Sequence, residues 1–104
     1  LSGGNQQKII IAREVTEEAR LVIANQPTRG LDIGATEFVR QTLMDVRNSD
    51  RSVLLISADL EEILALSDRI AVMFGGKIVG VLNRSEANVQ KIGLLMGGMT
   101  KEAM

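Results

Sequence analysis

The chain has 104 residues, of which 45% are hydrophobic and 24% are charged, a composition typical of one small globular domain. Twelve basic and thirteen acidic residues give a net charge of −1, which argues against a nucleic-acid groove or a basic membrane-binding patch. Cysteine and histidine are both absent, so disulfides, zinc fingers, cysteine nucleophiles and imidazole acid–base chemistry are excluded. The longest apolar run has five residues, Ile70 to Phe74. A helix that spans a bilayer needs roughly 20.

A helix followed by a buried strand is predicted for the first part of the chain. Residues Asn5 to Ala19 contain no glycine or proline, and their apolar side chains recur every three or four positions, which predicts a helix. Leu21 to Ala24 is a short apolar run that ends at the polar pair Asn25-Gln26 and at Pro27. Such a run, stopped by a proline, is typical of a buried strand that leads into a loop.

A second helix is predicted to begin at Asp32, because an aspartate at this position can accept hydrogen bonds from the free backbone N–H groups of the first turn. The helix is expected to end at Asn48 to Asp50. Its apolar positions recur with helical spacing and predict one buried stripe, formed by Ala35, Phe38, Val39, Leu43 and Val46.

The next elements are a buried strand and a short helix. Val53 to Ile56 is the second apolar run, and it predicts the strand. Asp59 and Glu62 have the spacing of a capping box, which predicts a helix that continues to Leu66.

The last part of the chain predicts a hairpin and a terminal helix. Ile70 to Phe74 and Lys77 to Leu82 are apolar runs separated by Gly75-Gly76, the pattern of two strands joined by a two-residue turn. A helix is expected from about Ser85, with an apolar face formed by Val89, Ile92 and Met96. Helices that alternate with short apolar strands predict an α/β fold, with a mainly parallel sheet covered by helices and a C-terminal β-hairpin.

The first residues carry the sharpest chemical signal. Gly3 and Gly4 allow the backbone to approach a ligand closely, and the predicted helix begins directly after them. Free N–H groups and the positive end of the helix dipole would then meet at one point, where an anion can bind. The candidate nucleotide-binding residues are Ser2, Gly3, Gly4, Asn5 and Gln6.

The string Leu1 to Lys8 resembles the signature motif of ABC-transporter ATPases, in the form found in importers of ribose, galactose and related simple sugars or nucleosides. Further motifs of that family follow in the family's order. Leu21 to Gln26 resembles the Walker B strand, and Pro27 to Asp32 resembles the proline turn and the D-loop, the latter formed by Gly30, Leu31 and Asp32. Leu54 to Leu60 resembles the switch region, and Ser67 to Ile70 also matches the family. The resemblance covers nearly the whole chain. It implies part of a P-loop NTPase fold (RecA-like, ABC ATPase) that lacks the phosphate-loop strand.

Three positions depart from the family pattern. The family's Walker B strand ends in an aspartate that holds magnesium through water and a glutamate that polarises the attacking water, whereas this chain has Asn25 and Gln26. An amide cannot balance the metal's charge or accept a proton at neutral pH. The switch histidine is replaced by Ala58, which cannot bind a γ-phosphate through a side-chain hydrogen bond. A milder interpretation makes Asn25 and Gln26 simple strand-end residues, but three losses together favour one degenerate ATP site with no catalytic or metal-binding residue.

The resemblance also implies partners, because each ABC ATP site combines the Walker B strand of one nucleotide-binding domain with the signature loop of another. Residues 1–104 are expected to be a C-terminal fragment of the second such domain in a longer polypeptide, completing the ATP site of the N-terminal domain. The parent would bind ATP and Mg²⁺ and work with permease subunits at the cytoplasmic face of the membrane. The fragment alone is expected to bind no cofactor and to be inactive. The missing strand would leave a gap between the strands at 53–56 and 70–74. The fragment is therefore expected either to self-associate or to bring these two strands together across the gap.

Two other functions remain open at this stage. The first is a stand-alone α/β binding or regulatory module that does not hydrolyse nucleotide. The second is a small phosphate-using hydrolase that acts through Asp32 or Asp59, for which no second catalytic group is evident.

Overall fold

A computed structural model describes residues 20–99, and over this range the predicted alternation of strands and helices is confirmed. The predicted helix at Asn5 to Ala19 and the candidate residues Ser2 to Gln6 lie outside the described residues. The elements are, in order, β1 (Leu21–Asn25), α1 (Ile33–Asn48), β2 (Ser52–Ile56), α2 (Leu60–Leu66), β3 (Arg69–Phe74), β4 (Lys77–Asn83), a 3-10 turn (Arg84–Glu86) and α3 (Val89–Met96). The chain divides into two compact units, the first ending at Ala58 and the second beginning at Asp59.

In the first unit, β1 and β2 form a parallel pair whose register runs from Leu21 opposite Ser52 to Asn25 opposite Ile56. The connecting helix α1 contacts β2, as a crossover between parallel strands requires. Alternate residues of β1 are buried, and α1 buries one stripe of side chains. These buried side chains are Val22, Ala24, Ala35, Val39, Leu43 and Val46.

The prediction for Phe38 was wrong, since 44% of this residue is exposed. Successive residues of a helix are rotated by about 100°, and the four buried residues of α1 centre on a direction about 100° away from Phe38. Phe38 therefore lies beside the buried stripe and not within it. The recurrence of apolar residues every three or four positions does not make this distinction.

The opposite side of the parallel pair is apolar and exposed. Leu21, Ile23, Leu54 and Ile56 are each between 45% and 63% exposed. The register places Ile23 opposite Leu54, and Asn25 opposite Ile56. Because side chains alternate along a strand, the four residues share one face, which we call the open face of the parallel pair.

The second unit is built on the predicted hairpin, in which β3 and β4 are antiparallel and are joined at Gly75-Gly76. Both glycines have positive φ, 59° and 79°, as a tight hairpin turn requires. The register shifts between Val72 and Met73, a bulge that the apolar pattern did not predict. One core cluster consists of Ile70, Val72, Leu82, Ala87, Ile92 and Leu95.

The terminal helix differs from the prediction. A 3-10 turn occupies positions 84–86, and α3 begins only at Val89, where the side chain of Asn88 accepts a hydrogen bond from Lys91 N at 2.8 Å. Within α3 the buried side chains are Ile92 and Leu95, whereas Val89 and Met96 are 58% and 45% exposed. The predicted face of Val89, Ile92 and Met96 was therefore wrong in two of its three members.

The packing of Leu95 explains this difference. A Cβ atom placed at Gly80 would lie only 3.0 Å from Leu95 Cδ1. The missing side chain at Gly80 thus leaves the space that the leucine fills, and Leu95 is completely buried.

Within residues 20–99, β2 pairs with β1 and β3 pairs with β4, so that the sheets are one parallel and one antiparallel pair. None of the helices in this range is long and apolar enough to cross a membrane.

Candidate functional site

Gln26 and Ala58, two of the three residues that differ from the family motifs, meet where the parallel strands end. Asn25 is the last residue of β1 and is exposed on the same side as Leu21 and Ile23. Gln26 follows it, and its backbone N donates to Ile56 O at 2.7 Å. The side-chain Oε1 of Gln26 accepts a hydrogen bond from Ala58 N at 3.3 Å, although the two residues are 32 positions apart. The structure therefore brings Gln26 and Ala58 together beside Asn25.

The backbone of Gln26 is held tightly. Its φ of 49° lies in the left-handed region, which non-glycine residues rarely adopt. Its carbonyl oxygen accepts a hydrogen bond from Arg29 N at 3.2 Å, so that residues 26–29 form a turn directly after the strand. Hydrogen bonds to Ile56, Arg29 and Ala58 thus fix the backbone and the side-chain oxygen of this one residue.

The residues of the predicted D-loop connect this turn to α1. Leu31 N donates to Thr28 O at 3.2 Å, and Gly30 has a φ of 76°, a conformation open to glycine. The carboxylate of Asp32 accepts a hydrogen bond from Ala35 N at 2.8 Å, which confirms the predicted N-cap. Gly30, Leu31 and Asp32 therefore lie a few residues beyond Gln26, between the turn and the helix.

In the second unit, Asp59 caps α2. Its Oδ1 accepts hydrogen bonds from Glu61 N at 3.0 Å and Glu62 N at 3.3 Å, which confirms the predicted helix start. A full capping box closes at the 3-10 turn, where Asn83 N donates to the carboxylate of Glu86 at 2.9 Å. Asp32 and Asp59 both serve as helix caps, so their carboxylates have a structural explanation and the hydrolase hypothesis has no structural support.

The donor atoms at the end of β1 decide whether this site suits a magnesium ion. Between positions 20 and 99, no three acidic, histidine or cysteine side chains lie close enough together to hold a metal ion. The end of β1 offers the neutral amides of Asn25 and Gln26 and the methyl group of Ala58. Magnesium sites in proteins are usually built on carboxylates, which carry negative charge. This set of donors therefore does not fit a carboxylate-held Mg²⁺.

Comparisons with known proteins identify the family. The chain is 55% identical over 102 residues to the guanosine import ATP-binding protein NupO of Bacillus subtilis strain 168, covering 98% of this chain. It is 50% identical to the nucleoside import ATP-binding protein NupA of Lactococcus lactis, and 44% identical to the ribose import ATP-binding protein RbsA of Clostridium perfringens, covering 94% and 95% of this chain. This chain belongs to the ABC-transporter ATP-binding proteins. No family model matches the sequence.

The chain spans about a fifth of the length of these relatives: 20% of NupO, 19% of NupA and 20% of RbsA. Solved structures support the same fold. A dimeric ATP-binding cassette bound to ADP and phosphate matches 81% of this chain and 36% of its own, with a TM-score of 0.72 at 27% identity. The ADP conformation of another cassette from an ABC transporter matches 94% of this chain and 37% of its own, with a TM-score of 0.70 at 20% identity, and shows the fold alone. The α/β fold predicted from the sequence is therefore confirmed.

The hydrogen bond between Gln26 and Ala58 is the feature of the site that sequence reasoning missed. The family resemblance assigned both residues to one site, but the direct contact depends on the left-handed turn at Gln26. A glutamine that follows a strand carries no local signal of that conformation, which glycine and asparagine favour.

Proposed function

We propose that this chain is the C-terminal part of the second nucleotide-binding domain of an importer ATPase for nucleosides or simple sugars. The names of its relatives, which import guanosine, nucleosides and ribose, support this substrate class. The parent polypeptide would bind permease subunits at the cytoplasmic face of the membrane and would carry a first nucleotide-binding domain N-terminal to this one. The observation that carries the proposal is the meeting of Gln26 and Ala58 beside Asn25 at the end of β1.

The ATP site that contains this β1 strand would not hydrolyse ATP. The amide of Gln26 cannot take a proton from an attacking water, and its oxygen is already bonded to Ala58 N. The methyl group of Ala58 offers no hydrogen bond to a phosphate, and the amide of Asn25 supplies no negative charge for a metal. Each loss removes a different contribution to phosphoryl transfer, which favours a site that binds nucleotide and leaves it intact.

The signature loop would serve the other site of the parent. Ser2, Gly3, Gly4, Asn5 and Gln6 match the family motif without a departure. Two glycines before a predicted helix favour backbone N–H groups that point at an anion, and the γ-phosphate of ATP is such a group. The N-terminal domain would supply the catalytic carboxylates, and Gly30, Leu31 and Asp32 would form the D-loop.

The open face of the parallel pair supports the proposal that the chain works within a larger domain. Leu21, Ile23, Leu54 and Ile56 expose apolar side chains on one surface. Burying a side chain of this size stabilises a protein by about 1.5–3 kcal/mol, so a covered face is favoured. We infer that the isolated chain, without the rest of its domain, self-associates, binds neither ATP nor Mg²⁺ and is inactive.

A single-turnover experiment on the parent tests the proposal. The purified parent is loaded with labelled ATP, and the bound ATP and ADP are followed with time. We expect two bound nucleotides, of which one is hydrolysed and one stays intact. Hydrolysis of both at one rate would refute the degenerate site, and a parent that binds no ATP would refute the transport function. The isolated chain serves as the control without activity.

A further inference from the structure

The backbone of the chain leaves the parallel ladder at Gln26. In such a ladder, the N–H and the C=O of one residue bond to two residues of the partner strand that are two positions apart. Gln26 N donates to Ile56 O at 2.7 Å, so the next bond of the ladder would run from Ala58 N to the backbone oxygen of Gln26. That oxygen accepts from Arg29 N at 3.2 Å instead, because the chain turns at Gln26, whose φ of 49° is left-handed.

The side chain of Gln26 replaces the backbone oxygen in the ladder. Its Oε1 accepts from Ala58 N at 3.3 Å, at the position in the pattern where the backbone oxygen would accept. A glutamine side chain carries the same kind of carbonyl acceptor as a peptide group, so the chemistry of the bond is preserved. One residue therefore serves the turn with its backbone and the ladder with its side chain.

This bond holds a part of the chain that would otherwise open easily. β2 ends at Ile56, and Ala58 is the exposed last residue of the first compact unit. Exposed segments beyond the end of a strand open at a lower free-energy cost than the strand itself. The left-handed backbone of Gln26 is also unfavourable for a residue with a side chain, and such a conformation persists only where several contacts fix it.

We propose that Gln26 is a latch, formed by its Oε1 and Ala58 N, that holds the loop after β2 to the end of β1 whether or not a nucleotide is bound. Both atoms of the latch belong to this chain, so that the bond needs no ligand. The inference goes beyond the proposed function, because it concerns the state of the loop and not the fate of ATP. A ligand shifts a conformational equilibrium only if it binds one state better, and a loop that is already latched leaves it little to shift.

Amide hydrogen exchange at Ala58 in the full-length parent tests the latch. Gln26→Met keeps the length of the side chain and removes its oxygen. We expect this change to raise the exchange rate of Ala58 roughly two- to twelvefold without ATP, as the loss of one ordinary hydrogen bond predicts. Gln26→Glu retains an oxygen that can accept from Ala58 N and should keep the original rate. In the unchanged parent, ATP should leave the rate at Ala58 the same.

Two controls separate loss of the latch from loss of the fold. Ala24 lies within the parallel pair, and its exchange should be the same in the Gln26→Met parent as in the unchanged protein. Gln90→Met makes the same substitution at an exposed position of α3 and should not affect Ala58. If Gln26→Met fails to fold, Gln26→Asn takes its place, because asparagine tolerates a left-handed φ but has a side chain one carbon shorter.

Two results would overturn the latch. The first is unchanged exchange at Ala58 in the Gln26→Met or Gln26→Asn parent. The second is an unchanged parent in which Ala58 becomes protected only after ATP is added, because the bond would then depend on the ligand. A parent that binds no ATP would refute the proposed function, whereas the latch would still be decided by the exchange rates of the variants without ATP.

Discussion

The N-cap of α1 allows the structural and chemical roles of Asp32 to be separated. Its carboxylate accepts from Ala35 N at 2.8 Å, and the first turn of α1 contains no other acidic residue. Loss of an N-cap costs about 1 kcal/mol, and loss of the charge near the helix N-terminus costs about 0.3–1 kcal/mol more. Asp32→Ala should therefore destabilise the start of α1 by roughly 1–2 kcal/mol, whereas Asp32→Asn should keep the cap and lose only the smaller part.

The assay is amide hydrogen exchange of the parent, followed in a peptide that contains Ala35. A local destabilisation of 1–2 kcal/mol raises the exchange rate by a factor of roughly 5–30 if the helix start opens as a unit. Asp45→Ala provides the matched control, because it removes an exposed carboxylate from the same helix. Among the described residues, this carboxylate accepts a hydrogen bond from the side chain of Gln41. This control should leave the exchange of Ala35 near its original rate.

ATP hydrolysis by the same variants tests the chemistry. If Asp32 acts as a cap, the Asp32→Asn parent should keep most of its ATPase activity. An Asp32→Ala parent with unchanged exchange at Ala35 would refute the cap argument. An Asp32→Asn parent that keeps the protection of Ala35 but loses hydrolysis would show that the charge of Asp32 has a chemical role, as the hydrolase hypothesis requires.

Three further outcomes are expected. Restoring carboxylates with Asn25→Asp and Gln26→Glu in the parent should not make its two ATP sites equal in single-turnover hydrolysis, because Ala58 remains a deficit; equal rates would contradict this. Gly4→Asp should abolish turnover at the opposite site, because a carboxylate at the predicted helix N-terminus would repel the γ-phosphate, and unchanged turnover would argue against shared sites. The isolated chain should form dimers or larger species in light scattering, and Leu54→Lys on its open face should shift it towards monomer; a stable monomer of the unchanged chain would disprove self-association.

Much of the local structure is determined by the sequence alone. The strands at Leu21 and Ser52, the cap at Asp32 and the turn at Gly75-Gly76 all follow from signals within a few residues. Each has a local cause: an apolar run stopped by a polar or proline residue, a side chain that can bond the first helical turn, or a glycine that accepts positive φ. The family, too, was evident from motifs that are short and continuous in the chain.

The tertiary structure decided which of the apolar residues are buried and which site residues touch. Spacing along the chain places Phe38 in the buried stripe of α1 and Met96 in that of α3, yet nearly half of each residue is exposed. Leu95 is buried instead, because Gly80 on a neighbouring strand leaves space for it. The bond between Gln26 and Ala58 likewise joins residues 32 positions apart and needs both strands in register. Burial and contact depend on what lies opposite a residue in space, and neither hydrophobicity nor spacing along the chain contains that information.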